Sequence, residues 1–300
     1  MLDSFKIIKN SNNWIKIEPL NKGWSKDKKY YIVDKYNNEF LLRISDISLY
    51  EKKKKQFELL KEIEKLNLNA SRPIEFGVLN DSQIYMLLTW IKGESAEEII
   101  PTLTNKNAYD LGVKAGIMMK QLHQISIEKQ TQTWNEKYVI KIKRKIETIN
   151  NCHLSFDKKD LVIEFILNNI DLTKNRPLMF SHGDYHLGNM IVNENGIGII
   201  DFDKNCIADP YDEFKCFCWN VFQSEYFETG LINGYFDNKV PEEFFKILAL
   251  YAAESLIGQL PWAITFGQDE INTAYKVIEN VLKWYQDFTL TKPTWYKGVL

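Results

Sequence analysis

Between Phe180 and Asn205 the chain reads FSHGDYHLGNMIVNENGIGIIDFDKN, with short apolar runs on either side of an unusually polar stretch. Gly183 and Gly188 let the backbone around Asp184 and Asn189 fold tightly. The runs MIV and IGII flank Asn193-Glu194-Asn195-Gly196 and predict a β-hairpin whose second strand ends at Asp201. A loop and hairpin of this kind bring two carboxylates and one amide oxygen close together. Such hard oxygen ligands suit Mg²⁺, which keeps several waters and shares its shell with phosphates. A carboxylate left over from metal binding orients a hydroxyl and accepts its proton. Taken singly, each residue has a plainer reading, a turn hydrogen bond for Asp184 or a strand-start cap for Asn189. The ordered set D-x-x-x-x-N, hairpin, I-I-D is what points to chemistry.

The remainder of the chain supports an ordinary globular protein. Its 300 residues suffice for one large domain or two smaller ones, and 45% hydrophobic with 26% charged residues is a usual soluble composition. A net charge of −2 gives no footprint of nucleic-acid binding. The run Lys52–Lys55 is soon followed by acids and reads as a solvated helix face. No stretch reaches the roughly 20 apolar residues of a membrane span. The opening MLDSFKIIKNSNNW has no apolar core or small-residue cleavage site, so no export signal is expected. Four Cys are no disulfide framework, and Cys216-Phe217-Cys218 with Cys206 fits no common zinc spacing. A cytoplasmic protein with reduced cysteines is the expectation.

Along the chain, KKYYIVD and NEFLLRIS read as strands joined by a hairpin turn, followed by a charged helix over about 48–66. SRPIEFGVLNDSQIYMLLTW predicts strand, turn, strand. Helical periodicity covers 106–126, 134–149 and 157–170, then returns over 210–227 and 241–288. The expected class is α+β, with a small antiparallel-sheet lobe over 1–90 and a larger, mainly helical lobe over 91–300. Gly93 marks the hinge.

SHGDYHLGNMI…GIIDFD resembles the aminoglycoside phosphotransferase family, in which H-G-D replaces the H-R-D of protein kinases. The same family includes choline, homoserine and methylthioribose kinases. The resemblance implies a protein-kinase-like two-lobe fold and transfer of the γ-phosphoryl of ATP or GTP to a hydroxyl. It implies that Asp184 is the catalytic base, that Asn189 and Asp201 hold Mg²⁺, and that His182 and Asp212 support the loop. NKGWSKDKKYYIV, with Gly23 and Ser25, matches the phosphate-covering loop. Arg43 stands in the place of the phosphate-contacting Lys, and Thr89, Trp90 and Ile91 fall at the adenine-binding hinge.

The match has gaps. The phosphate-covering loop has one glycine, and Gln56 occupies the helix position where the family carries Glu; the alternative, Glu58, lies about 200° round the helix. Asp203 replaces the glycine of D-F-G, a glycine this family does not require. A non-catalytic binding protein of the same fold is the competing reading. His186 and His123 read as packing residues. For the acceptor, Glu254 stands out in the apolar run LALYAAESLIG, where an unpaired carboxylate is costly to bury. It either meets a buried partner or faces the pocket, and Trp219, Tyr251 and Trp262 offer an aromatic box for a cation. A polyhydroxylated or amino-bearing acceptor is expected, an aminoglycoside by name, with antibiotic resistance as the matching role.

Overall fold

The computed structural model describes residues 5–21 and 26–300. Gly23 and Ser25 therefore lie outside the described residues. The chain divides into two compact units, Met1–Glu94 with Met190–Asp203 and Ser95–Asn189 with Lys204–Leu300. The hairpin expected in the larger lobe thus belongs to the smaller one.

The first unit is a five-stranded antiparallel sheet in the order β1-β2-β3-β5-β4, from Trp14–Leu20, Lys28–Asp34, Glu39–Asp46, Gln83–Thr89 and Pro73–Asn80 respectively. Strand β1 was not expected. Of its seven residues only Trp14 is buried, as an edge strand permits, and its Lys and Glu residues blur the apolar alternation. One sheet face buries Trp14, Ile32, Leu42, Ile44, Tyr85 and Leu87 with Phe5 and Ile8. Helix α1 (Tyr50–Lys65) buries Lys53, Gln56, Phe57, Leu60 and Ile63, spaced by three or four residues on one face. Phe57 stacks on Phe76 of β4, with ring centroids 5.7 Å apart. In the hairpin, β8 (Met190–Asn193) pairs with β9 (Gly196–Ile199), and Ile199 N–H donates to Asn69 O at 2.8 Å.

The second unit is helical. After the short β6 (Glu94–Ser95) and α2 (Ala96–Ile99) come α3 (Asn105–Leu122), α4 (Trp134–Asn150) and α5 (Lys159–Asn169). Thr133 and Glu136 close a capping box at the start of α4. Strands β7 (Met179–Ser181) and β10 (Cys206–Ala208) pair antiparallel. A 3₁₀ helix over Pro210–Cys216 leads into α6 (Phe217–Gln223), α7 (Glu225–Tyr235), α8 (Glu242–Ala263) and α9 (Gln268–Trp284). The long periodic pattern over 241–288 is thus two helices, parted before Gly267, whose φ of 105° favours glycine. Helix α8 is apolar nearly all round because it is buried nearly all round. Among the described residues no helix is long and apolar enough to cross a membrane.

Helices α3 and α7 meet backbone to backbone. Each carries glycines four apart, Gly112 and Gly116 facing Gly230 and Gly234. A Cβ on Gly116 would sit 2.0 Å from Leu231 O, and one on Gly230 would sit 2.1 Å from Tyr109 O. Backbone cannot yield as a side-chain tip can. Gly116→Ala should therefore destabilise the fold by about 1–3 kcal/mol through overpacking, despite the ~1 kcal/mol helix-propensity gain of Ala. Urea unfolding measures this; an unchanged or raised midpoint would show that the helices do not touch here.

Candidate active site

The loop after β7 is held by one buried carboxylate. His182 N–H donates to Glu213 Oε2 at 2.6 Å and Gly183 N–H donates to Oε1 at 2.8 Å. Glu213 is 2% exposed, and His123 Nε2 lies 3.6 Å from its Oε2. Burial would raise its pKa, but the hydrogen bond and charge of His123 outweigh that and lower it. The expectation gave loop support to Asp212. The structure gives these contacts to Glu213, because successive residues of a 3₁₀ helix point about 120° apart. Asp212 turns instead to Lys215 at 2.7 Å and Lys141 at 3.5 Å. His182 is fully buried and its Nδ1 accepts from Asp184 N–H at 3.3 Å. Gly183 has φ 83°, and a Cβ there would lie 2.1 Å from Lys204 O, so this turn requires glycine.

Asp184 emerges from the turn with its Oδ2 3.0 Å from Lys204 Nζ, 3.0 Å from Asn189 Nδ2 and 3.6 Å from His186 Nε2. Partial burial would raise its pKa, but the hydrogen bonds and charges of His186 and Lys204 hold it well below the usual carboxylate range. Asn189 Nδ2 also donates to Asp184 O at 2.9 Å. Both amide protons thus face Asp184, and the side-chain oxygen is left as a hard donor of the kind Mg²⁺ takes. His186 Nδ1 accepts from Gly188 N–H at 3.1 Å, so a residue expected only to pack also faces Asp184 through Nε2. Farther along, Leu187 N–H donates to Asn220 Oδ1 at 2.8 Å, while Asn220 Nδ2 donates to Glu228 at 2.7 Å. Glu228 is 1% exposed, and burial pushes its carboxyl up to about 8 against the lowering effect of the Asn220 hydrogen bond.

In the first unit, Arg43 of β3 is 5% exposed and surrounded by acids. Its Nε and Nη2 donate to Asp27 Oδ2 at 3.0 and 2.7 Å, its Nη1 reaches Asp201 Oδ1 at 3.4 Å, and its Nη2 donates to Asp203. Lys53 Nζ sits 2.8 Å from Asp27 and 3.3 Å from Asp203. Gln56 donates to Asp203 Oδ1, and Glu58 is exposed beside Lys61 at 3.0 Å. Asp27 and Asp203, and not the helix carboxylate of the family pattern, are the close acidic partners of Arg43. Asp201 adopts φ 63°, a left-handed conformation that Asp tolerates better than most residues. Its side chain is 33% exposed, an oxygen ligand within reach of solvent.

At the expected hinge, Thr89 N–H donates to Arg72 O at 2.9 Å and Trp90 N–H to Glu39 O at 3.0 Å. Those two amides are committed to main-chain acceptors. The acceptor residues fare differently from expectation. Glu254 is 2% exposed, with Lys141 at 2.9 Å and Lys145 in direct contact, so it is a paired core carboxylate. Tyr251 is fully buried; it donates to Asp209 at 2.6 Å and accepts from Trp134 Nε1–H at 2.7 Å. Trp219 packs on Phe222 and Trp262 on Phe266. Each ring has its own partners, and no aromatic box of these three forms.

Two predictions follow from the buried acids of the second unit. Glu213→Gln replaces an acceptor oxygen with a donor facing an N–H, so stability should fall by about 1–3 kcal/mol. Hydrogen exchange at His182 and Gly183 should quicken with it, and unchanged protection would remove Glu213 from this role. The lowered folded pKa means that Glu213 stabilises above its unfolded value of about 4.3 and loses this as pH falls through the folded value. Glu228 has the opposite sign. Its contribution is full below about 4.3 and is lost as pH rises toward 8, with a slope near 1.4 kcal/mol per pH unit. Glu228→Gln should flatten urea-unfolding stability between pH 6 and 8; equal slopes in both proteins would mean that Glu228 is ionised in the fold.

A sequence profile of the phosphotransferase enzyme family, APH, matches residues 16–244. No curated protein sequence matches the chain. Solved structures do. The aminoglycoside phosphotransferase APH(2'')-Ib with ADP bound is 19% identical, with 98% of each chain covered and a TM-score of 0.65. The GDP complex of aminoglycoside 2'-phosphotransferase-IIIa is 14% identical, covering 93% of this chain and 96% of that one, with a TM-score of 0.71. A putative fructosamine-3-kinase from Haemophilus somnus 129PT is 16% identical, covering 90% and 92%, with a TM-score of 0.62. At these identities the likeness is one of fold, the protein-kinase-like fold of a small sheet unit and a larger helical one. With the profile spanning most of its length, the chain belongs to the phosphotransferase enzyme family and is a small-molecule kinase.

Proposed function

We propose that this kinase moves the γ-phosphoryl of ATP or GTP to a hydroxyl of a polyhydroxylated or amino-bearing small molecule in the cytoplasm, an aminoglycoside first among candidates and resistance its consequence. The observation that carries the reading is the Asp184–Asn189 pair. An ionised carboxylate and an amide oxygen are set by a loop whose turn is fixed by Gly183, His182 and Glu213. Relatives of the same fold with ADP or GDP bound support a nucleotide co-substrate.

In this reading Asp184 orients the acceptor hydroxyl and takes its proton. Asn189 and Asp201 are the residues that would hold Mg²⁺, which when bound neutralises charge on the nucleotide phosphates. Arg43 adds a planar cation to the phosphates in place of a lysine, with a different donor geometry. Ile91 offers the main-chain donor to the base. Glu254 of α8 is engaged by its lysine partners, so in this reading acceptor choice falls to other residues.

Mg-ATP or Mg-GTP should raise the melting temperature, since a ligand bound only by the native state adds about 2.7 kcal/mol at a hundredfold excess over Kd. Chelation should remove most of the shift. Asp184→Asn should keep nucleotide binding and lower phosphoryl transfer roughly a hundredfold or more. Asp201→Asn should weaken Mg-nucleotide binding itself. Equal losses of nucleotide affinity in both variants would overturn these roles. Labelled ATP and GTP turned over against aminoglycosides, choline, homoserine, methylthioribose and simple sugars identifies the acceptor; transfer to none of the polyhydroxylated or amino-bearing compounds would refute the acceptor class.

A further inference from the structure

We propose that Asp203 is the positioning residue for Arg43, holding the guanidinium off Asp201 so that Asp201 keeps its charge for the metal; this rests on the reading of Arg43 and Asp201 as nucleotide-side residues. Three carboxylates, Asp27, Asp201 and Asp203, face two cations, Arg43 and Lys53, within the first unit. Their side chains are unequally exposed. Asp27 is 5% exposed and bound by both cations and by Ser45 Oγ at 2.8 Å, which fixes it as structural. Asp203 touches Arg43 directly through Oδ2, while its Oδ1 takes Gln56 Nε2 and Lys53 Nζ from α1. Asp201 is left the longest of these contacts to Arg43, 3.4 Å, and the greatest exposure, 33%.

The charge pattern explains why an acid is needed two residues after Asp201. A neutral Gln56 on α1 cannot balance Arg43. Among the described residues of this cluster, the two cations balance Asp27 and Asp203, and Asp201 is the surplus negative charge. Take Asp203 away and Nη2 keeps Asp27 at 2.7 Å, which Lys53 also claims, while the 3.4 Å contact of Nη1 to Asp201 is the one left to tighten, in surroundings where an unbalanced buried charge is costly. The guanidinium would then close on the carboxylate that the metal needs. Gln56 gains its purpose in the same step: its amide orients Asp203 toward β3 instead of touching Arg43. The tie thus joins α1, β3 and the segment after β9 at one side chain.

The test uses the full chain with Asp203→Asn, Asp203→Gly and the double variant Gln56→Glu with Asp203→Gly. Calorimetry would measure nucleotide binding across a Mg²⁺ titration, with melting temperatures alongside. Both single variants should bind nucleotide about tenfold more weakly, the scale of one charge-assisted hydrogen bond, and need several-fold more Mg²⁺ for half-maximal binding. The double variant, which returns a carboxylate to the helix, should recover most of the Mg²⁺ dependence. A merely structural Asp203 would lower melting without moving that dependence. Wild-type affinity and Mg²⁺ dependence in Asp203→Asn would overturn the inference alone. So would an Asp203→Gly protein that folds, binds weakly and gains nothing from Gln56→Glu. No binding of Mg-nucleotide by the unaltered protein would overturn the kinase-site reading as well, which separates the two failures.

Discussion

Glu213 is a carboxylate with 2% exposure whose two oxygens meet two backbone amides of the loop before Asp184. A carboxylate so buried is tolerable only if its lone pairs are satisfied and its charge has company. The loop amides do the first and His123 the second, and His123 is itself tied to Tyr235 at 2.9 Å through Nδ1. The cost of leaving Glu213 unpaired therefore forces the loop into one turn. Gly183 accepts the positive φ, His182 folds its ring under Asp184, and β7 stays in register with β10. The geometry of the loop that carries Asp184 is a by-product of satisfying one buried acid.

The same rule disposes of the other acids that follow. Asp209 receives Arg176 through two contacts of 2.9 Å and Tyr251 through one of 2.6 Å. Glu254 and Asp212 share Lys141, with Lys145 and Lys215 completing the group. These lysines belong to α4 and the 3₁₀ helix, more than a hundred residues from Glu254 in one case and about forty in the other. A buried acid with distant partners and a buried acid awaiting a cationic ligand look alike in sequence. They differ only in what the fold brings alongside.

That is also where reading the sequence stopped. The loop and hairpin of the candidate site were legible because their signals are local: Asp184, Asn189 and Asp201 lie within 18 residues, punctuated by glycines and a hairpin turn. Most helices and the four inner and edge strands from β2 to β5 were legible from periodicity. Strand β1 was not, since exposure at the sheet edge removes the alternation that marks a strand. Glu213 was missed by one residue because Asp212 and Glu213 are both buried, and only tertiary contacts send one to lysines and the other to the loop amides. Asp27, Lys53 and Asp203 were passed over because their meaning is tertiary. Lys53 lay in a run of four lysines that reads as a solvated face, and only helix phase selects it for burial.

The surroundings of Asp184 also bear on how such a base works in the proposed reaction. Lys204 and Asn189 direct donors at one carboxylate oxygen from 3.0 Å, and His186 Nε2 stands farther off at 3.6 Å as a third. Their combined effect favours the ionised form so strongly that the group has little appetite for a proton at neutral pH. A hydroxyl would not be deprotonated in advance by such a group. Phosphoryl transfer does not demand it: the transition state is loose, bond formation to the incoming oxygen is slight, and the hydroxyl proton grows acidic only as that bond forms. An acceptor hydroxyl bound at Oδ2 would also displace some of the three donors, raising the affinity for the proton as the reaction proceeds. In the proposed reaction Asp184 would thus first orient the acceptor and only late take its proton, with substrate binding itself adjusting the balance between the two.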